Sequence, residues 1–176
     1  DSEVRLFDDD DREVPRGEVG EIVIRGGNVM KGYFNKPEET DKTLRGGWLH
    51  TGDMAYADED GYFFIVDRKK EMIIRGGENI YPKELEEIMY GHPRVLEVAV
   101  VGVKDEIYGE EVMACLVPRQ GETIDTEEFR SWCRANMASY KVPKYVSIRQ
   151  QLPKNILGKI LKKELKAALK GEGLLK

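Results

Sequence analysis

The spacing of apolar residues along this chain changes character near residue 67. Before it, apolar and polar positions alternate in short runs: Val4-Arg5-Leu6-Phe7, then Glu21-Ile22-Val23-Ile24-Arg25 closed by Gly26-Gly27. Such alternation, bounded by Gly, Pro and Asp, predicts half-buried strands. The acidic turn Asp8 to Asp11 followed by Glu13-Val14-Pro15 predicts that the first run forms a hairpin. Further strand-like pieces lie at Trp48 to His50, Met54 to Ala57 and Tyr62 to Val66. A short helix is expected at Pro37-Glu38-Glu39-Thr40, because proline suits a first turn and acids favour that end. The first 66 or so residues are thus mostly β.

After Asp67-Arg68-Lys69-Lys70 the period lengthens. Pro82 opens a helix with Leu85, Ile88 and Met89 on one face, stopped by Gly91 and Pro93. Val95 to Val103 is a nearly continuous apolar run, as expected of a strand covered on both faces, and Glu111 to Val117 predicts another. Asp125 with Glu128 suggests a capping box for a helix burying Phe129, Trp132, Cys133 and Met137. Tyr145 to Ile148 reads as a strand, and Ile160, Leu161 and Leu165 anchor a final helix. The fold class is therefore α+β: a small β subdomain over residues 1–68 and a compact α+β domain over 69–176. The charged stretch from Asp67 to Glu71 is either a hinge between them or an ordinary exposed connection.

The 176 residues are 40% apolar and carry a net charge of -5, which suits a folded core and argues against a nucleic-acid binder. The charge is uneven. Residues 154–176 hold seven lysines, Lys176 among them, against Glu164 and Glu172, so this stretch is +5 and the remainder -10. That suits a polyanionic ligand or a solvated amphipathic helix. Cys115 and Cys133, with only His50 and His92 for company, give neither a zinc spacing nor a disulfide framework, so no metal site is expected. No apolar run reaches the roughly 18 residues of a membrane span, and a reducing, cytoplasmic setting is expected. Asp1 stands where an initiator methionine would, with a strand pattern beginning at once, as in a piece of a longer chain.

Several short clusters can carry chemistry. Lys159 follows Gly158 in Pro153-Lys154-Asn155-Ile156-Leu157-Gly158-Lys159-Ile160, a tight loop before a basic helix. A mobile ammonium there can reach an oxyanion or phosphate; alternatively it is a solvated lysine in a helix-entry turn. Asp53 ends Gly47-Trp48-Leu49-His50-Thr51-Gly52-Asp53 at an expected strand start. There it can accept two hydrogen bonds from a diol such as a ribose, or bond its own turn. Arg68 offers a planar fork to ribose or phosphate, and Gly76-Gly77 admits a ligand close to the backbone or serves a turn needing positive φ. Lys141 and Lys144, around Pro143, can meet phosphate or simply be solvated. No P-loop, dinucleotide fingerprint or zinc-protease motif is present.

In this order the clusters resemble the carboxyl-terminal part of the adenylate-forming superfamily, which includes acyl-CoA synthetases, peptide-synthetase adenylation domains and luciferases. Five ordered segments carry the resemblance: Gly17 to Ile22, Gly32-Tyr33-Phe34, Gly47 to Asp53, Asp67 to Glu86 and Leu152 to Ile160. Gly76-Gly77-Glu78-Asn79-Ile80-Tyr81-Pro82 is most similar to fatty and aryl acyl-CoA ligases. The resemblance implies activation of a carboxylic acid by Mg2+-ATP to an acyl-adenylate, then transfer to CoA. It implies that Asp53 and Arg68 hold the nucleotide, that Lys159 reaches the carboxylate and α-phosphate, and that Lys70 is the hinge. Rotation there would present Gly76, Gly77, Glu78, Asn79 and Tyr81 to CoA, with Lys141 helping to receive its phosphates. The family's phosphate loop and acyl pocket belong upstream of Asp1, in a missing amino-terminal domain, so this chain alone is expected to be inactive and its exposed β piece prone to self-association. Two other readings stay open: an amino-acid-activating adenylation domain feeding a carrier protein, and a non-catalytic binding module.

Overall fold

The computed structural model describes residues 1–174, so Lys176 of the basic tail lies outside the described residues. The chain divides into two compact units, Asp1–Lys70 and Glu71–Lys176.

The first unit is an antiparallel sheet of β1 (Ser2–Phe7), β2 (Gly20–Gly26), β3 (Leu49–Ala57) and β4 (Phe63–Arg68), in that spatial order. Helix α1 (Pro37–Thr43) sits in the connection from β2 to β3 and begins at the expected proline. Leu6, Ala55 and Ala57 form one small core with Val14 and Ile22; Phe7, Val23 and Trp48 form another. The partner of β1 is β2, in register from Ser2↔Gly26 to Phe7↔Glu21. The expected hairpin with residues 13–15 shrinks to one bridge, Phe7↔Glu13. Asp8 turns the chain by accepting from the Asp10 and Arg12 amides, and Pro15, lacking an N–H, cannot extend a ladder. The pieces expected at 48–50 and 54–57 are a single bulged strand, with Gly52 at φ +74 inside it. Asp53 is therefore a mid-strand residue and not the first of a strand. Asp67 and Arg68 belong to β4, and the border turn is the 3-10 segment Lys69–Glu71. Strand β4 is a sheet edge and leaves Ile65 more than half exposed, as is Tyr62 just before it.

In the second unit, β7 (Val95–Asp105) and β8 (Gly109–Pro118) pair antiparallel along almost their whole length. Their side chains alternate between two cores. Val98, Val100, Val112, Ala114 and Leu116 meet Leu85 and Met89 of α2 (Pro82–Tyr90) and Phe129 and Cys133 of α3 (Thr126–Asn136). Ala99, Val101, Val103, Met113, Cys115 and Val117 meet Leu165 and Leu169 of α4 (Lys162–Gly171). Two helix layers thus cover the strand pair, which explains the unbroken apolar run in its sequence. Burying each of these leucines stabilises the unit by about 2 kcal/mol. Strand β9 (Tyr145–Ile148) lies parallel beside β8, reached by a crossover through α3. A hairpin that no apolar alternation announces, β5 (Ile73–Arg75) and β6 (Glu78–Ile80), joins the same sheet through Arg75↔Gly109. Its turn is Gly76-Gly77, at φ +59 and +90, the two-residue turn whose twist suits a hairpin.

Burial pushes the Cys115 thiol up to about 11 and that of Cys133 up to about 12, so both stay protonated and unreactive at neutral pH. The helix α3 cap is only half the expected box. Asp125 accepts from the Glu127 and Glu128 amides at 3.0 and 2.8 Å, but the Glu128 carboxylate turns outward to Arg94 at 3.1 Å. Asp125→Ala should therefore cost about 1 kcal/mol in urea unfolding, whereas Glu128→Ala should leave the cap intact and cost well under half as much.

Candidate functional site

In the first unit the two residues expected to hold a nucleotide stand opposite each other on neighbouring strands, Asp53 on β3 and Arg68 on β4. Arg68 Nε lies 3.0 Å from Asp53 Oδ1, and Arg68 Nη2 donates to the Thr51 carbonyl at 3.3 Å. Both side chains are part-exposed, so the pair is available to a ligand from solvent.

Behind this pair lies a buried charge network that the sequence reading missed. Glu21 is only 4% exposed. Its Oε1 accepts from the Gly52 amide at 3.0 Å; its Oε2 accepts from Lys69 Nζ at 3.1 Å and lies 3.2 Å from His50 Nδ1. Lys69 also reaches Asp9 at 2.7 Å, and Arg45 reaches Asp11 at 2.8 Å. Burial alone would raise the Glu21 carboxyl, but Lys69, His50 and the Gly52 amide outweigh it and hold it below the usual range. The signal was present: Glu21 shares a face of an alternating strand with the buried Val23. His50 is thus a structural partner of a carboxylate, and His92 a core residue packed edge-on against Phe129 and Trp132. Burial lowers the pKa of His92, keeping it neutral.

In the second unit Lys159 sits in a loop built by Asn155. The Asn155 Oδ1 accepts from the amides of Leu157 and Lys159 at 3.0 and 2.9 Å. The backbone closes through Asn155 N to Lys159 O at 2.9 Å, with Gly158 at φ +81. Leu152 on one side is buried in the second core, and Ile160 on the other packs against it, so both ends are anchored. Lys159 is exposed, and among the described residues its ammonium has no hydrogen-bond or ion-pair partner. Its neighbours differ: Lys154 is bound to Glu97, and Lys162 to Glu86 at 2.7 Å.

The glycine hairpin is held from below. Gly76 N–H donates to the Tyr108 carbonyl at 2.8 Å, and a side chain at Gly76 would press on the Tyr108 ring at 3.2 Å. Glu78 and Asn79 are exposed beside it, and Tyr81 is the residue preceding α2. Lys141 does not point free into solvent: both Glu84 oxygens bind it, at 2.5 and 2.7 Å. Lys144 is likewise bound to Asp105 at 2.6 Å, and together with the Tyr108 and Ile107 amides it holds the Asp105 carboxyl down at about 2. A hollow of about 360 Å³ that the sequence did not announce opens against Tyr108, lined by Arg75, Arg130, Arg134 and Lys144. Arg75 is bound to the buried Glu111 at 2.8 Å and Arg130 to Glu127 at 2.9 Å. Arg134 has no carboxylate partner among the described residues. Arg130 and Arg134 are one helical turn apart on α3, the spacing that puts both on one face.

Among the described residues no group of three or more His, Cys, Asp or Glu is gathered to hold a metal, and no helix is long and apolar enough to cross a membrane. Residues 84–159 match the model of the AMP-binding enzyme C-terminal domain, and residues 1–34 that of the AMP-binding enzyme. The chain belongs to the AMP-binding enzymes, in their carboxyl-terminal portion and close to the acyl-CoA ligases. A long-chain-fatty-acid–CoA ligase of Bacillus subtilis (strain 168) is 53% identical over 148 residues, covering 84% of this chain and 26% of that one. A feruloyl-CoA synthase of an Amycolatopsis species is 52% identical over 165 residues, covering 94% and 34%. The solved structure of ATP-bound MatB from Rhodopseudomonas palustris superposes with a TM-score of 0.89 at 38% identity, over 96% of this chain and 34% of that one. The chain thus spans a quarter to a third of the length of these relatives.

The loop geometry makes a direct forecast. Asn155→Ala should speed hydrogen exchange at the Leu157 and Lys159 amides by about tenfold or more, as one local unit, without altering exchange in β7 and β8.

Proposed function

We propose that this chain serves as the carboxyl-terminal part of an AMP-forming acid–thiol ligase that activates a carboxylic acid, in our reading a fatty acid, and transfers it to CoA. In the first step a carboxylate oxygen attacks the α-phosphorus of ATP and the bond to pyrophosphate breaks. In the second the CoA thiol sulfur attacks the acyl carbon and AMP leaves. The observation that carries this reading is the exposed ammonium of Lys159, unpartnered among the described residues, on a loop whose shape is fixed by its own hydrogen bonds. A preorganised cation of that kind offsets charge that gathers on the transferring phosphoryl group, with little reorganisation at the moment of reaction.

In this reading Asp53 accepts from the ribose hydroxyls and Arg68 steadies it while contacting the same nucleotide. Mg2+ arrives with ATP; among the described residues no group of three or more His, Cys, Asp or Glu is gathered to hold it. Lys70, the last residue of the first unit, is the proposed pivot by which Lys159 is withdrawn and the glycine hairpin brought forward for CoA. The hollow lined by Arg75, Arg130 and Arg134 supports a phosphate-bearing thiol as the acceptor, with Arg134 the cation most available to it. Lys141 would have to leave Glu84 to take part.

In the full-length ligase, Lys159→Ala should lower adenylate formation by about 100-fold or more, the scale of losing one transition-state donor. Thioester formation from supplied acyl-adenylate should survive. Equal loss in both half-reactions would refute that division, and a thiol reaction with a pantetheinylated carrier but not with CoA would transfer the protein to the amino-acid-activating class. Lys70→Pro, which stiffens the pivot, should impair the thiol step and spare adenylation.

A further inference from the structure

Glu21 occupies an unusual position relative to the Asp53–Arg68 pair. Asp53 and Arg68 face each other across β3 and β4. The residue before Asp53 is Gly52 and the residue after Arg68 is Lys69, and Glu21 binds both: one oxygen takes the Gly52 amide and the other takes the Lys69 ammonium. Both strand pairings are irregular here, between Glu21 and Val23 on β2 and between Met54 and Ala55 on β3. In a bulge the ladder no longer supplies partners for every amide, so the Gly52 amide depends on a side chain. Gly52 lies at φ +74, a conformation other residues adopt at a cost.

We propose that Glu21 is a positioning residue for the nucleotide site, holding the Gly52-Asp53 bulge of β3 and Lys69, which directly follows the end of β4, at one separation through a single buried carboxylate. This deepens the proposed function and rests on the reading of Asp53 as the ribose acceptor. The carboxylate is suited to the task because one oxygen holds the Gly52 amide of β3 while the other holds the Lys69 ammonium just past the end of β4. Removing either partner leaves a buried charge short of compensation, so the arrangement tolerates little drift. Lys69 adds a second consequence. Its ammonium is fixed to Glu21 and Asp9, both in the first unit, so the backbone up to Lys69 moves with the nucleotide site and any pivot begins after it. His50 completes the ring of partners and Arg45 stands 3.7 Å away, which keeps the carboxylate ionised when one partner moves.

Glu21→Gln is the informative change. The amide oxygen can still accept from Gly52, but its NH2 would face the Lys69 ammonium, donor against donor. In the full-length ligase we expect KM for ATP to rise about tenfold, the size of one charge-assisted hydrogen bond, with KM for the carboxylic acid unchanged. Preference for ATP over 2′,3′-dideoxy-ATP, which lacks the ribose hydroxyls, should shrink by a similar factor, an outcome that general destabilisation does not produce. Lys69→Met should reproduce the effect in part and carries the test if the Gln variant fails to fold. Asp53→Asn is the reference. If Asp53→Asn leaves the dideoxy preference intact, the ribose reading itself is wrong. If it abolishes the preference while Glu21→Gln and Lys69→Met both leave it untouched, the nucleotide reading stands and the positioning role of Glu21 is overturned.

Discussion

The antiparallel pairing of β7 with β8 is the constraint on which the second unit depends. Because both faces of this strand pair are apolar, helices must cover both: α2 and α3 on one side, α4 on the other. The candidate groups of the second unit are then hung from it. The glycine hairpin is tied to the start of β8 at Gly109, and β9 lies along the same strand further on. The lysine loop is fixed because, at its two ends, Leu152 is buried in the core that α4 closes and Ile160 packs against that core. A loop with packed ends and its own internal hydrogen bonds can present a charge without collapsing onto the surface.

Charge pairing sorts the candidate cations more sharply than exposure does. Lys69, Lys141, Lys144, Lys154 and Lys162 are all basic residues near candidate sites, and every one is bound to a carboxylate. Lys159 is not. The cost of recruiting a paired lysine to a ligand is the loss of its pair; a free one carries no such cost. By the same argument Arg134 is better placed than Lys141 to meet an incoming phosphate, although the sequence motif draws attention to Lys141.

Much of the second unit was legible because its signals are periodic. The two-faced run from Val95, the proline-started helix at Pro82 and the Asp125 cap all follow from spacing and side-chain chemistry that act locally. The misses have a common cause, namely pairing between distant segments. Nothing local tells that β1 pairs with β2 rather than with residues 13–15, or that Gly52 continues a strand through a bulge. Gly76-Gly77 suits a turn or a ligand approach, and the flanking three-residue strands are too short to show alternation. The Glu21 network was hidden for a related reason: its members come from residues 9 to 69, and a buried carboxylate declares itself only by standing on a buried strand face.

The membership in the AMP-binding enzymes and the free ammonium of Lys159 together reduce the account to one claim, that this side chain enters a nucleotide site and leaves it again. Amine-reactive footprinting of Lys159 in the full-length ligase, read by mass spectrometry, tests that claim most directly. The account predicts ready labelling in the free enzyme, strong protection when ATP and a carboxylic acid analogue are bound, and renewed labelling when CoA meets a stable acyl-adenylate analogue. Equal labelling in all three states would contradict it.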